Sequence, residues 1–176
     1  MSNILGDFTE SVQRRFRAMK QLAEGALAQL DESDLDWVPD AESNTIRVIV
    51  QHLHGNMMSR WTDFLTSDGE KPWRDRDGEF EPDDDLSREE LMSRWEQGWA
   101  CLFNALDELT PENLCQAIMI RGRSLTVIDA AHRQLAHYAY HVGQIVYIAR
   151  IRASDRWRTL SIRKGESRQY EPRDGD

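Results

Sequence analysis

Four segments of this chain carry apolar residues at three- and four-residue steps, and the stretches between them hold no regular period. The first runs from Ile4 to about Leu30 with Phe8, Val12, Phe16, Met19, Leu22, Ala23, Ala26, Leu27 and Leu30. The second runs to about Thr66 with Ile46, Val48, Ile49, Val50, Leu53, Met57, Met58, Trp61, Phe64 and Leu65, apolar over so broad an arc that it should be the most central. The third presents Leu91, Trp95, Trp99, Leu102, Phe103, Leu106 and Leu109, and the fourth Ile128, Ala131, Leu135, Tyr138, Val142, Ile145, Val146 and Ile148. Each stripe fits the α-helical repeat and needs another to cover it, which predicts an all-α, four-helix bundle.

The breaks between segments agree with this reading. Asp31-Glu32-Ser33-Asp34 ends the first helix, and Pro39 biases Val38 toward extended backbone. Ser43-Asn44-Thr45 offers caps to the second helix, Ser87 with Glu90 forms a capping box for the third, and the fourth opens near Thr126 and runs to about Ile151. Ser67 to Asp85 is rich in turn formers and charge, a connection of about twenty residues where compact domains carry far shorter ones. So long a connection between helices two and three can act as a lid, or can carry the chain the full height of a bundle, so that the helices it joins need not be antiparallel. Between helices three and four, Gln116 to Gly122 could form a short extended piece turning at Arg121-Gly122. The expected organisation is a bundle over residues 1–155 and a loosely ordered polar tail over 156–176.

Composition narrows the function classes. A formal net charge of −9 argues against a nucleic-acid partner, which would require a basic stripe. No stretch approaches the roughly 18 apolar residues of a membrane span, and the N-terminus lacks the basic start and apolar run of a secretory signal. A cytoplasmic protein is expected. Cys101 and Cys115 lack CxxC spacing and read as buried free thiols. A remaining apolar helix face would suit a homodimer.

The histidines carry the sharpest chemical signal. His137 and His141 lie four residues apart, about 40° around a helix, so both imidazoles share a face, the spacing one metal ion requires. His132 lies about 180° from His141 and faces away. His52 and His54 are about 160° apart and cannot both point at one centre. Periodicity leaves the choice open: His52 shares a stripe with Val48, Ile49 and Asn56, His54 lies near Val50, Met58 and Trp61. The His-Glu-x-x-His signature of zinc proteases is absent, because Tyr138, Ala139 and Tyr140 intervene.

Taken together, Val50-Gln51-His52-Leu53 on helix two and His137-Tyr138-Ala139-Tyr140-His141-Val142-Gly143-Gln144 on helix four resemble the DinB/YfiT-like superfamily, whose members are read as metalloenzymes. The stretch from Gly55 to Phe80 is similar to the DUF1572 family of uncharacterised bacterial proteins, and the resemblance covers about residues 5 to 153. It implies a four-helix bundle holding a divalent metal, zinc or nickel, through His52, His137 and His141. Some members of the superfamily transfer thiols, using a low-molecular-weight thiol as co-substrate, which implies a thiol-dependent S-transferase acting on a small electrophilic molecule.

A metal held by three neutral imidazoles keeps open positions and can lower the pKa of a bound water or thiol toward neutrality. Neither cysteine falls in the histidine motifs, so a reacting thiol would come from outside the chain. Asn56 follows His52 by one turn, Gln144 follows His141 by three residues and Tyr140 lies roughly 60° from His137, so all three are candidates to line the site. Arg60 and Trp61 are candidate substrate contacts, and Trp73 and Phe80 could close over the bundle mouth. No catalytic residue is assigned. The competing expectation is a non-catalytic bundle whose histidines are a structural site or a polar core network.

Overall fold

The structure, a computed structural model, describes residues 4–83 and 85–171, so residues 1–3, Asp84 and the last five residues of the expected tail lie outside the described residues. The described chain forms helices α1 (Ile4–Leu27), α2 (Ile46–Trp61), α3 (Arg88–Asp107) and α4 (Val127–Ala153), with one hairpin, β1 (Ala117–Ile120) and β2 (Arg123–Thr126), before α4. Each expected cap is present: Thr45 accepts from the Val48 amide, Ser87 and Glu90 close their capping box, and Thr126 accepts from the Asp129 amide.

Contacts between helices fix their directions. Gln13 bonds Asp107 at 2.9 Å and Lys20 bonds Glu96 at 2.9 Å, so α1 and α3 run antiparallel. Arg88, in the first turn of α3, donates to the carbonyls of Leu27, at the end of α1, and Leu30, just beyond it. Phe8 meets His132 while Gln29 bonds the Arg158 carbonyl, so α1 and α4 are parallel. Arg47 bonds the Leu86 carbonyl while Cys101 reaches Met57 and Thr62, so α2 and α3 are parallel as well. The order is therefore up, down, down, up, and the long connection does carry the chain back along the bundle. The parallel pair approaches closely at Gly98, where a Cβ would stand 3.1 Å from the Met57 sulfur and 3.3 Å from the His54 Cα.

Phe16 of α1 meets one aromatic ring from each other helix: Trp61, Trp99 and Tyr138 at centroid distances of 6.5, 6.4 and 5.8 Å. As expected, α2 is the most central element, buried nearly all round. It stops at Trp61 rather than near Thr66. Thr62 turns extended and Asp63 takes φ +48°, where its carbonyl collects the amides of Thr66 and Ser67 and both their hydroxyls. Phe64 and Leu65 still reach the core, which is why the apolar pattern ran past the helix end.

The hairpin turns at Arg121-Gly122 with φ of +55° and +68°, the two-residue turn that suits the twist of paired strands. Asp68 holds that turn from outside, accepting both amides at 2.8 Å, and the Gly69 amide bonds the Met119 carbonyl at 2.8 Å. The crossover is thus pinned to the hairpin at its start. Trp157 and Leu160 pack against the bundle beyond α4. Cys101 is half-buried and Cys115 is exposed, so the expectation of a buried thiol fails at Cys115. Among the described residues no helix is long and apolar enough to cross a membrane.

Candidate metal centre

Where the antiparallel α2 and α4 meet, the middle of α2 comes level with the fourth and fifth turns of α4. His52 Nε2 lies 3.2 Å from His137 Nε2, which lies 3.1 Å from His141 Nε2. One ligand atom from each of the three lies within 4.8 Å of the others. Metal–nitrogen bonds of about 2.0–2.1 Å put ligand nitrogens roughly 3.3 Å apart at a tetrahedral angle and roughly 3.0 Å apart at an octahedral one. The two short separations fit that range.

Outer partners set the tautomers. His52 Nδ1 donates to Glu79 Oε2 at 2.9 Å, and His141 Nδ1 donates to Gln144 Oε1 at 2.8 Å. Both rings therefore present a bare Nε2 lone pair to His137. His137 Nε2 has at most one proton to give, so one of its two close contacts joins lone pair to lone pair. A shared cation resolves that conflict, and the donor set fits a divalent metal. Such hydrogen bonds behind the ligands fix ring orientation and raise basicity.

Burial, reinforced by the neighbouring rings of His141 and His52, lowers the His137 pKa to about 3. Burial, with His52 beside it, lowers His141 to about 4. Both are neutral at pH 7, the state that can ligate. Burial alone would raise Glu79, but hydrogen bonds from His52 and Arg74 outweigh it and hold the carboxyl below its ordinary range. Arg74 grips Glu79 with two parallel bonds of 2.7 Å. Gly55, one turn after His52, leaves room for this carboxylate: a Cβ there would stand 2.6 Å from Glu79 Cδ. Phe80 covers the His52 ring at 4.6 Å between centroids.

A cavity of about 530 Å³ opens onto the three imidazoles. Asn56, Tyr140 and Gln144 all line it, with Asn56 accepting from the Tyr138 hydroxyl at 3.1 Å and Tyr140 mostly exposed at the mouth. Arg60 lines the cavity, whereas Trp61 is core and donates to the Tyr138 hydroxyl. Phe80 forms part of the wall, but Trp73 is 59% exposed and not among the lining residues. His54 faces α3 and His132 packs on Phe8, so neither joins the cluster. Neither cysteine lines the cavity.

Sequence reasoning missed Glu79, Arg74, Arg133 and Gln134. Glu79 stands 27 residues from His52 in a segment without period, and no sequence signal points to it. Arg133 precedes His137 by four residues on the same face, a signal as plain as the histidine pair itself.

A family profile described as protein of unknown function (DUF1572) matches residues 3–166. No curated protein and no solved structure matches the chain.

Proposed function

We propose that this chain, which belongs to the DUF1572 family, is a metal-dependent enzyme of the DinB/YfiT-like type, using His52, His137 and His141 to hold a divalent ion, zinc or nickel. The reaction we favour is transfer of a low-molecular-weight thiol to a small electrophile. One observation carries the reading: three Nε2 atoms converge on one point while Glu79 and Gln144 hold two of the rings from behind. A divalent ion bound there would supply a Lewis acid that lowers the pKa of a coordinated water or thiol.

The chain's own residues supply position and shelter. Glu79 keeps the His52 proton on Nδ1, Gln144 does the same for His141, and Phe80 screens one face of the ligand set from water. The thiol is external, because Cys101 points at Met57 and Thr62 and burial raises its pKa. Elemental analysis of untagged protein, beside the variant carrying His137→Ala and His141→Ala, tests the site. Near-stoichiometric metal lost in the variant supports it and opens assays with a panel of thiols and electrophiles. Equal, negligible metal in both, after incubation with zinc and with nickel, would leave a non-catalytic bundle with a polar histidine core.

A further inference from the structure

Among the described residues, the lining of the metal-site cavity contains five arginines, Arg60, Arg74, Arg76, Arg121 and Arg133, and no aspartate or glutamate. In a chain of net charge −9 this is a local inversion of sign. Arg60 and Arg74 are buried in the floor, and the other three are exposed around the mouth. Glu79 takes up Arg74, and Glu70 accepts from Arg60 at 2.8 Å and Arg121 at 2.7 Å. Glu70 also lies 3.6 Å from Arg74, and Asp77 pairs with Arg76 at 3.4 Å, so three carboxylates against five guanidinium groups leave a smaller excess of positive charge facing the cavity. Arg133 has no ion-pair partner among the described residues.

A second observation points the same way. Gln134 also lines the cavity, is 2% exposed, and has neither its amide oxygen nor its amide nitrogen hydrogen-bonded. Arg60 Nε is likewise buried without a hydrogen-bond partner, and Arg74 Nη1 has only Glu70 at 3.6 Å. Buried polar groups left unpaired are costly and rare, so several converging on one cavity mark the place of a polar ligand. The cavity has room for a small molecule.

Resting on the metal-enzyme reading above, we infer that the substrate or co-substrate is an oxyanion carrier, whose carboxylate or phosphate group docks on Arg133 with Gln134 beside it. A guanidinium fork matches both oxyanions with two parallel hydrogen bonds, and an amide N–H adds a third donor. Arg133 lies one helical turn from His137, about 5–6 Å along the helix surface. The ligand therefore carries its charged group only a few bonds from the atom it presents to the three imidazoles. The exposed arginines at the mouth steer such an anion inward, and this attraction weakens with salt.

The test is calorimetric titration of the zinc-incubated full chain with inorganic phosphate and, separately, with succinate at low ionic strength. Wild type is compared with Arg133→Ala and Gln134→Leu, and the zinc content of each is measured. Arg133 is exposed and outside the core, so its removal leaves the fold intact. The expected result is saturable binding of at least one anion, weakened tenfold or more by Arg133→Ala, with zinc content unchanged. Tighter phosphate binding identifies a phosphorylated ligand, and tighter succinate binding a carboxylated one. Zinc-loaded protein that binds neither anion, or binds them as tightly without Arg133, overturns this inference and leaves the metal site standing. Arg133-dependent anion binding by protein that takes up neither zinc nor, in a parallel incubation, nickel sinks the metal reading and keeps the anion site.

Discussion

Replacing Gly55 by alanine should do the opposite of what the same change does at Gly143. In a helix interior, Gly→Ala ordinarily stabilises by about 0.5–1 kcal/mol, because glycine loses more backbone freedom on folding. At Gly143, on the exposed side of α4, a Cβ would meet nothing within 4 Å, and the full gain is expected. At Gly55 the new Cβ would stand 2.6 Å from Glu79 Cδ and 3.0 Å from Cγ. The carboxylate cannot simply swing aside, since Arg74 holds it by two bonds of 2.7 Å and His52 by one of 2.9 Å. Displacing it leaves Arg74, whose side chain is 2% exposed, with only the longer 3.6 Å contact to Glu70. Losing one member of a buried ion pair costs about 3–5 kcal/mol, so the net effect of Gly55→Ala is a loss of about 2–4 kcal/mol. In a domain of this size that lowers Tm by about 5–15 °C, while Gly143→Ala raises it by about 2 °C. Zinc affinity, measured by competition with a chromophoric chelator, should fall about 10–100-fold in Gly55→Ala and stay unchanged in Gly143→Ala. A Gly55→Ala protein as stable as Gly143→Ala, with wild-type zinc affinity, would refute the placement of Glu79 against α2.

Metal-free protein should lose stability as pH falls from 6.5 toward 4, because the unfolded chain takes up protons at His137 and His141 that the folded chain, with pKa values of about 3 and about 4, refuses. Thermal melts across that window should flatten in the variant carrying His137→Gln and His141→Gln, and an equally steep profile there would assign the loss to other groups. Tyr138→Phe strips the Trp61 indole N–H and the Asn56 amide oxygen of a buried partner and should cost about 2–3 kcal/mol in urea denaturation; a change below 0.5 kcal/mol, on the order of a typical surface substitution, would contradict it. Thr45→Ala removes the cap of α2 and should cost about 1 kcal/mol by the same assay, and no change would mean the cap is not formed in solution. Adding zinc should slow amide hydrogen exchange in residues 74–80 more than in α1, since the Glu79 segment is tied to a ligand ring; uniform protection would dissociate the segment from the site.

How far the sequence could be read follows from how local each signal is. Helix positions were legible because burial imposes its period on every turn, and the caps at Thr45, Ser87 and Thr126 act within three residues. The end of α2 was not, because Phe64 and Leu65 keep an apolar rhythm outside the helix while Asp63 gathers the next amides onto its own carbonyl. The facing of His137 and His141, and the exclusion of His132, followed from helical angle alone. The choice of His52 over His54 did not, since both sit on a helix buried nearly all round and either side of it meets core. Glu79 lay beyond reach altogether: its place depends on a loop path set by bonds such as those from the hairpin turn to Asp68, 53 and 54 residues apart.

That loop path is a consequence of topology, which links the fold to the chemistry. Parallel α2 and α3 oblige the chain to return along the bundle before α3 can start, and the return must be held down somewhere. It is held first by Asp68 on the hairpin turn, then by Glu70 between Arg60 and Arg121, and last by the Leu86 carbonyl on Arg47. Between these anchors the segment crosses the edge of the α2–α4 seam, where Glu79 meets His52. An antiparallel α2–α3 pair with a short turn would have kept the three histidines, since those depend only on α2 and α4. It would have lost the carboxylate that fixes the His52 tautomer, the arginine that fixes the carboxylate, and the Phe80 ring that covers His52. The crossover therefore fixes the orientation of the His52 ring while Gln144 of α4 fixes that of His141, and preorganisation of that kind is what would separate a site able to bind metal tightly from a chance cluster.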